Sequence, residues 1–182
     1  MIKNLYEEWK KSSALRYESI FHDPIVNSFC QWHSGTDNGR DDKGLIFNAG
    51  YEAFIYAFFV GLYRNERRPL VGQTRSFSME IFRLGDVSTR NTGRKKYTEI
   101  QQNIFAALIA KTDLDLVEYD KGNITADEAV SKLMTTLNEY ANAGFYAINE
   151  KMSHQEDFFT ISENVLNFVN FNQQTHNDYD EV

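Results

Sequence analysis

A chain of 182 residues that is 42% hydrophobic and 14% aromatic is long enough to bury a core, and a single domain is the expectation. The formal net charge is −7, and the single cysteine, Cys30, excludes an internal disulfide bond. The longest apolar run, Ala53 to Leu62, is far shorter than the roughly 20 residues that span a bilayer. The charged N-terminal sequence also lacks the apolar core of a signal peptide, so we expect a soluble, cytoplasmic protein without membrane contact.

The N-terminal part of the chain shows helical spacing of its apolar residues. This spacing predicts helical structure over residues 3–22, with a break allowed at Ser12–Ser13. Pro24 ends or kinks the helix, because proline restricts the residue before it. Residues 25–32 form a short apolar continuation that is compatible with one more helix. The polar, Gly- and Asp-rich residues 33–43 predict a loop.

The strongest predicted element is a central helix over residues 49–64. Its side chains are apolar on nearly every face, which is typical of a helix buried inside a protein. Pro69, after a polar turn, is expected to terminate it. Short strands are predicted at residues 44–47 and 77–84, which would form a small β element.

The C-terminal half is dominated by two amphipathic patterns. One predicts a helix over residues 97–111, and the other a long helix over residues 126–152. Thr125 and Glu128 have the spacing of a capping box, which marks the start of the long helix. Gly144 lies inside it at a cost of about 1 kcal/mol relative to alanine, so close packing of another backbone is expected there.

The sequence therefore predicts a mainly α fold, with about six helices and a small two- or three-stranded β element. The central helix is expected to be wrapped by residues 97–111, 126–152 and 155–170. We expect one globular domain over residues 1–171, followed by a flexible acidic tail over residues 172–182.

Charge is distributed unevenly along the chain. The stretch from Arg64 to Lys96 holds nine of the 19 lysines and arginines and only three acids, so it carries +6 while the rest of the chain carries −13. Such a pattern is informative about partners rather than about fold. The residues that we predict to contact an anionic partner are Arg64, Arg67, Arg68, Arg75, Arg94, Lys95 and Lys96.

The basic residues fall into two clusters. Arg64, Arg67 and Arg68 lie at the end of the central helix, where the helix dipole favours cations. Arg94 to Lys96 precede the next helix, at the end where cations are unfavourable, and they are the sharper indication of an anionic partner. Three interpretations stay open: an acidic protein surface or sister subunit, a nucleic acid, and a plain solvated surface.

Motifs for catalysis or cofactor binding are absent from the sequence. Cys30 and His33 have metal-ligand spacing, but a structural zinc site usually needs four ligands. The sequence contains no nucleophile elbow and no phosphate-binding glycine loop. Glu52 and Glu80 are the acids most embedded in apolar context, and a helix N-terminal charge and a cross-strand salt bridge explain them. We predict no cofactor and a non-catalytic module; the alternative is a small hydrolase, such as a carbohydrate-active enzyme, whose acid pair the sequence cannot identify.

The order of several landmarks resembles a known group of proteins. These landmarks are NAGYEAFIYAFFVGLYRNERRPL at 48–70, SMEIFRL at 78–84, QNIFAALIAKTDLDLV at 102–117 and LNEYANAGFYAINE at 137–150. They resemble small bacterial accessory proteins associated with DNA-phosphorothioation (dnd) and related phage-defence systems, over roughly residues 45–150. In that group an E-Y-A-N-x-G-like signature, here Glu139 to Gly144, closes the domain. The resemblance implies a role in a larger defence or mobile-element assembly, and it supplies no catalytic residues.

Similar short sequences sometimes carry the label of glycoside hydrolase family 15. Members of that family resemble a much larger double ring of helices with two catalytic glutamates. A chain of 182 residues cannot build that barrel, and nothing in the residues supports the label.

Overall fold

The computed structural model describes residues 4–11, 14–30, 46–47, 49–78 and 97–170. It shows a mainly α fold with a two-stranded antiparallel sheet, as the sequence predicts. The chain divides into two compact units, one drawn from Met1–Leu15 and Phe77–Leu137 and the other from Arg16–Ser76 and Asn138–Val182. The predicted tail over residues 172–182 lies outside the described residues.

The first unit is built mainly from helices. They are α1 (Leu5–Lys10), α3 (Thr98–Lys111), α4 (Leu116–Asp120) and the N-terminal part of α5, which runs from Ala126 to His154. Tyr6 packs edge-on against Phe105 with ring centroids 5.1 Å apart, and Trp9, which is fully buried, lies 5.5 Å from the same ring. These aromatic contacts join α1 to α3.

The capping box at the start of α5 is confirmed. The Thr125 hydroxyl accepts a hydrogen bond from the Glu128 amide at 3.2 Å, and the Glu128 carboxylate accepts from the Thr125 amide at 2.8 Å. The Thr125 amide and the Thr125 hydroxyl both donate to the Glu128 carboxylate, and these bonds hold the pKa of that carboxyl below its usual value. The two bonds of the capping box satisfy amides that the first turn of a helix otherwise leaves unpaired.

The second unit contains the predicted central helix, α2 (Gly50–Arg64), and no side chain from Gly50 to Leu62 is exposed. A short 3₁₀ helix (Ser19–Phe21), a π-helix (His22–Asn27), a second 3₁₀ turn (Phe158–Thr160) and α6 (Ser162–Asn170) complete its helical part. The Tyr56 hydroxyl donates to the Val165 carbonyl at 2.7 Å and so joins α2 to α6. The helix α3, which the sequence also placed around this core, belongs to the first unit.

The sheet differs from the prediction. It pairs β1 (Ala14–Glu18) with β2 (Thr74–Ser78), whereas the sequence pattern predicted helical structure on both sides of a break at Ser12–Ser13. Leu15 and Tyr17 are buried and Arg16 between them is exposed, which is the two-residue period of a strand. Ile20, which also fits the helical spacing of apolar residues, is 61% exposed.

Of the predicted strand at residues 44–47, only Ile46 and Phe47 lie among the described residues, and they are not part of this sheet. Phe47 instead forms an isolated parallel bridge with Cys30. Of the second predicted strand, Phe77 and Ser78 lie in β2, and the remainder is outside the described residues. Local patterns identify extended segments but do not choose their partners, because strand pairing is decided by contacts distant in sequence.

The helix α2 ends at Arg64, the predicted last residue, five positions before Pro69. Asn65 takes a left-handed conformation with φ of 54°, and its amide donates to the Leu62 carbonyl at 3.0 Å. The next amide, that of Glu66, donates to the Gly61 carbonyl at 3.0 Å. Asparagine tolerates the left-handed region better than most residues, so it closes the helix here.

The helices α2 and α5 cross with their backbones in direct contact. A Cβ atom added to Gly144 would clash with the carbonyl of Ala57, and one added to Gly61 would clash with the carbonyl of Tyr140. The expected close packing at Gly144 is therefore confirmed. The absence of a side chain at both positions lets the two helices approach each other.

Aromatic rings fill the core of the second unit around this crossing. Phe145 lies 5.6 Å from Tyr17, 5.6 Å from Phe21 and 6.3 Å from Phe54, measured between ring centroids. All four rings are almost completely buried. Within the described residues, none of the helices has the length and apolar character that crossing a membrane requires.

Candidate partner-binding surface

An exposed loop carries two of the predicted contact residues. Residues 65–73, which we call the arginine loop, connect α2 to β2 and include Arg67 and Arg68. Every residue of this loop is exposed except the half-buried Leu70. An exposed loop of this length makes few contacts of its own, so its conformation depends on what holds its backbone.

A buried carboxylate holds one part of the loop. Glu18, at the end of β1, is only 2% exposed, yet it accepts hydrogen bonds on both oxygens. Its Oε1 accepts from the Val71 amide at 3.0 Å and from Asn142 Nδ2 at 2.8 Å, and its Oε2 accepts from the Tyr146 hydroxyl at 2.8 Å. A buried charge is costly unless it is hydrogen-bonded, and these three donors supply the bonds.

Asn142 links the same carboxylate to the loop main chain. Its side chain is completely buried in α5, and Nδ2 also donates to the carbonyls of Arg68 and Pro69, each at 3.2 Å. The Arg68 amide in turn donates to the Glu139 carbonyl at 3.1 Å. The backbone of the arginine loop is therefore fixed by groups outside the loop.

Replacing Asn142 with alanine should lower the free energy of unfolding by about 2–3 kcal/mol, because buried acceptors lose their donor. Chemical denaturation measures this loss, and hydrogen exchange at the Val71 amide should accelerate as the loop is released. Asn123→Ala is the matched control, since Asn123 Nδ2 donates to Glu118 in an exposed pair at 2.6 Å. The control should cost less than about 1 kcal/mol. Equal losses of unfolding free energy in Asn142→Ala and Asn123→Ala would contradict a special role for the buried side-chain amide of Asn142.

The three arginines of the first cluster each contact an aromatic ring or an acid. The Arg64 guanidinium lies 4.9 Å from the centre of the Phe168 ring. Arg67 donates from Nε to Glu139 Oε2 at 2.9 Å and lies 5.8 Å from the centre of a second ring, that of Tyr140. These contacts are worth about 0.5–1 kcal/mol each at exposed sites.

Arg68 makes the closest of these contacts. Its guanidinium lies 3.5 Å from the centre of the Tyr146 ring, and its side chain stays exposed. The helix dipole explains only Arg64, which is in the last turn of α2. Arg67 and Arg68 follow the left-handed Asn65, and their positions are set by residues of α5 instead.

The other predicted contact residues are less fully described. Arg75 lies in β2 and is exposed, with no hydrogen bond or ion pair of its side chain among the described residues. Arg94, Lys95 and Lys96 lie outside the described residues, so their role stays a prediction. The structure thus brings Arg67 and Arg68 together on one anchored loop and places Arg75 two residues beyond it.

Tyr146 connects the buried network to the exposed arginine. Loss of hydration raises the pKa of its hydroxyl, and its hydrogen bond to Glu18 raises that pKa further. The phenol is therefore held in its protonated form, in which it donates to Glu18 through its hydroxyl. Its ring face is the surface on which Arg68 rests.

The structure also describes two side chains outside the arginine loop whose chemistry is common in active sites, Cys30 and His22. Burial, with a contribution from Glu52, raises the pKa of the Cys30 thiol to about 12, so it is protonated at neutral pH. His22 Nδ1 is hydrogen-bonded to the Tyr17 hydroxyl at 2.8 Å. In the described part of the chain, no group of three or more His, Cys, Asp or Glu side chains could hold a metal ion. His33 and Glu80 lie outside the described residues.

Sequence reasoning missed the residues that anchor the loop. The sequence pattern assigned Glu18 to a helix. The alternation of Leu15, Arg16 and Tyr17 was the available indication that Glu18 ends a strand instead. Asn142 was part of the quoted signature but received no role. A polar residue between alanines on a helix was the available signal.

We compared the chain with protein-family models, with curated proteins and with solved structures, and none of the three comparisons gives a match.

Proposed function

We propose that this chain is a non-catalytic interaction module of a bacterial defence or mobile-element assembly, and that its arginine loop contacts an acidic protein surface. The observation that supports this proposal most directly is the anchoring of an exposed loop by the buried Glu18 and Asn142 side chains. Binding loops gain affinity when their bound conformation is fixed in advance, because less conformational entropy is lost on association. The resemblance of the sequence to phosphorothioation-associated proteins supports the assembly context.

The charges of the arginine loop, together with Arg64 before it and Arg75 after it, agree with an anionic partner. From Arg64 to Arg75 the chain holds four arginines and one glutamate, a net charge of +3 in a protein of net charge −7. Arg68 and Arg75 are exposed, and neither side chain forms an ion pair within the described residues. Arginine is well suited to this task, since its planar guanidinium binds carboxylates through two parallel hydrogen bonds.

A binding measurement with a loop variant tests the proposal. Fluorescence anisotropy at low salt, where screening is weak, should show binding of a labelled glutamate-rich peptide. The variant Arg68→Gln/Arg75→Gln should weaken this binding by about tenfold or more, which corresponds to about 1.4 kcal/mol. The matched control is Lys10→Gln/Lys11→Gln, which removes two cations at the C-terminal end of α1, one of them also placed over an aromatic ring.

Peptide binding that survives in the loop variant would overturn the proposed contact. Duplex DNA is the second probe, in electrophoretic shifts at several salt concentrations. A shift that depends on Arg68 and Arg75, with a log–log salt slope near −0.9 per phosphate neutralised, would identify DNA as the partner in place of an acidic protein.

A further inference from the structure

A second surface of the chain complements the arginine loop in charge. Residues 113–128, in the first unit, span α4 and the first turn of α5 and contain six acids against one lysine, a net charge of −5. We call this stretch the acidic segment. Its acids are Asp113, Asp115, Glu118, Asp120, Asp127 and Glu128.

Several of these acids remain available to a partner. Asp115 caps α4, and Glu118 and Glu128 accept hydrogen bonds from their neighbours along the chain. The carboxylates of Asp113 and Asp120 are exposed, and neither has a hydrogen-bond or ion-pair partner within the ranges that the structure describes. They can therefore bind a cation without breaking a contact of the fold.

Both surfaces also expose large aliphatic side chains. In the acidic segment Val117 is 61% exposed and Leu116 is 44% exposed. In the arginine loop Val71 is 65% exposed. Interfaces commonly combine an apolar centre with charged residues around it, and the two surfaces have this composition with opposite charge.

We propose that the acidic segment of one copy of this chain docks on the arginine loop of a second copy. This inference rests on the proposed function, since it names the acidic protein surface that the loop binds. The two surfaces of such a contact are different, so a bound pair of copies still presents one free acidic segment and one free arginine loop. Contacts of this type build rings or open chains rather than only twofold dimers.

Two neutralising variants test the contact. The loop variant is Arg68→Gln/Arg75→Gln, and the segment variant is Asp113→Asn/Asp120→Asn. In sedimentation equilibrium at low salt, wild-type protein should associate, and each variant alone should associate at least about tenfold more weakly, equivalent to about 1.4 kcal/mol. An equimolar mixture of the two should form a one-to-one complex, because the intact segment of one meets the intact loop of the other.

A control variant, a measurement at high salt and melting curves accompany this experiment. The variant Glu156→Gln/Glu163→Gln neutralises two exposed acids elsewhere and should associate like wild type. Association of wild type should weaken at about 1 M salt, where the Debye length falls to about 3 Å. A melting curve of each variant identifies any that fails to fold, and single substitutions of the same residues then replace it.

A wild-type protein that stays monomeric at low salt would overturn the inference, and so would a mixture that forms no complex. The proposed function is tested separately by the glutamate-rich peptide. If the loop binds that peptide while the protein remains monomeric, self-association is wrong and the proposed function stands. If the loop binds neither, both are wrong.

Discussion

Replacing Phe54 with alanine is expected to lower the free energy of unfolding by about 3–5 kcal/mol, the usual range for a fully buried phenylalanine. Phe54 is completely buried in α2, and its ring packs edge-on against Phe145 at 6.3 Å. Removing the ring loses its transfer free energy and leaves a cavity. The surrounding helices are fixed by the backbone contact between α2 and α5, so they cannot close the cavity easily.

For a protein of this size the loss corresponds to a fall in melting temperature of about 6–20 °C, which calorimetry measures directly. Tyr63→Ala is the matched control, since it removes an aromatic ring from the same helix at a position that is 53% exposed. The control should cost about 1 kcal/mol or less. A shift of only a degree or two for Phe54→Ala would refute the assignment of α2 to the core.

Gly144→Ala should destabilise the protein by about 3 kcal/mol or more, at the upper end of the range for overpacked cores. Two effects oppose each other. Alanine is a better helix former than glycine and contributes about 1 kcal/mol in favour of the variant. The added methyl group, however, meets the Ala57 carbonyl, which belongs to backbone and cannot rotate away. The clash dominates because α2 and α5 must separate to relieve it.

Urea denaturation of Gly144→Ala measures the net effect. Ser131→Ala, at an exposed position of the same helix, controls for the change in helix propensity and should be close to neutral. If Gly144→Ala were as stable as wild type, the two helices would not cross at the distance described. The same substitution at Gly61 approaches the contact from the opposite helix and should have the same sign.

Local features of the fold were predictable from sequence. The capping box at Thr125, the apolar pattern of α2 and the glycine inside α5 are each visible in a short stretch of sequence, although the residue that approaches Gly144 is not. Contacts between distant residues were not predictable. Arg67 and its partner Glu139 are 72 residues apart, and no local pattern indicates that they meet.

The structure shows which contacts four residues of the segment Glu139 to Gly144 make. Glu139 pairs with Arg67, Tyr140 packs against Phe58 at 6.2 Å, Asn142 holds the loop carbonyls, and Gly144 admits α2. Each of these positions in the signature serves the packing of α5 against α2 or against the loop that follows it. The sequence revealed the motif, but its role required the partners that the fold supplies.

The backbone conformation of the arginine loop does not depend on which side chains the loop carries. Glu18 and Asn142 bond to main-chain atoms at Arg68, Pro69 and Val71, and every residue type with a free amide and carbonyl offers the same atoms. Substitutions among the exposed side chains of the loop should therefore change the chemistry of this surface without altering its shape. The side chains of the loop can diverge at little cost to folding, because the bonds that hold the loop do not involve them.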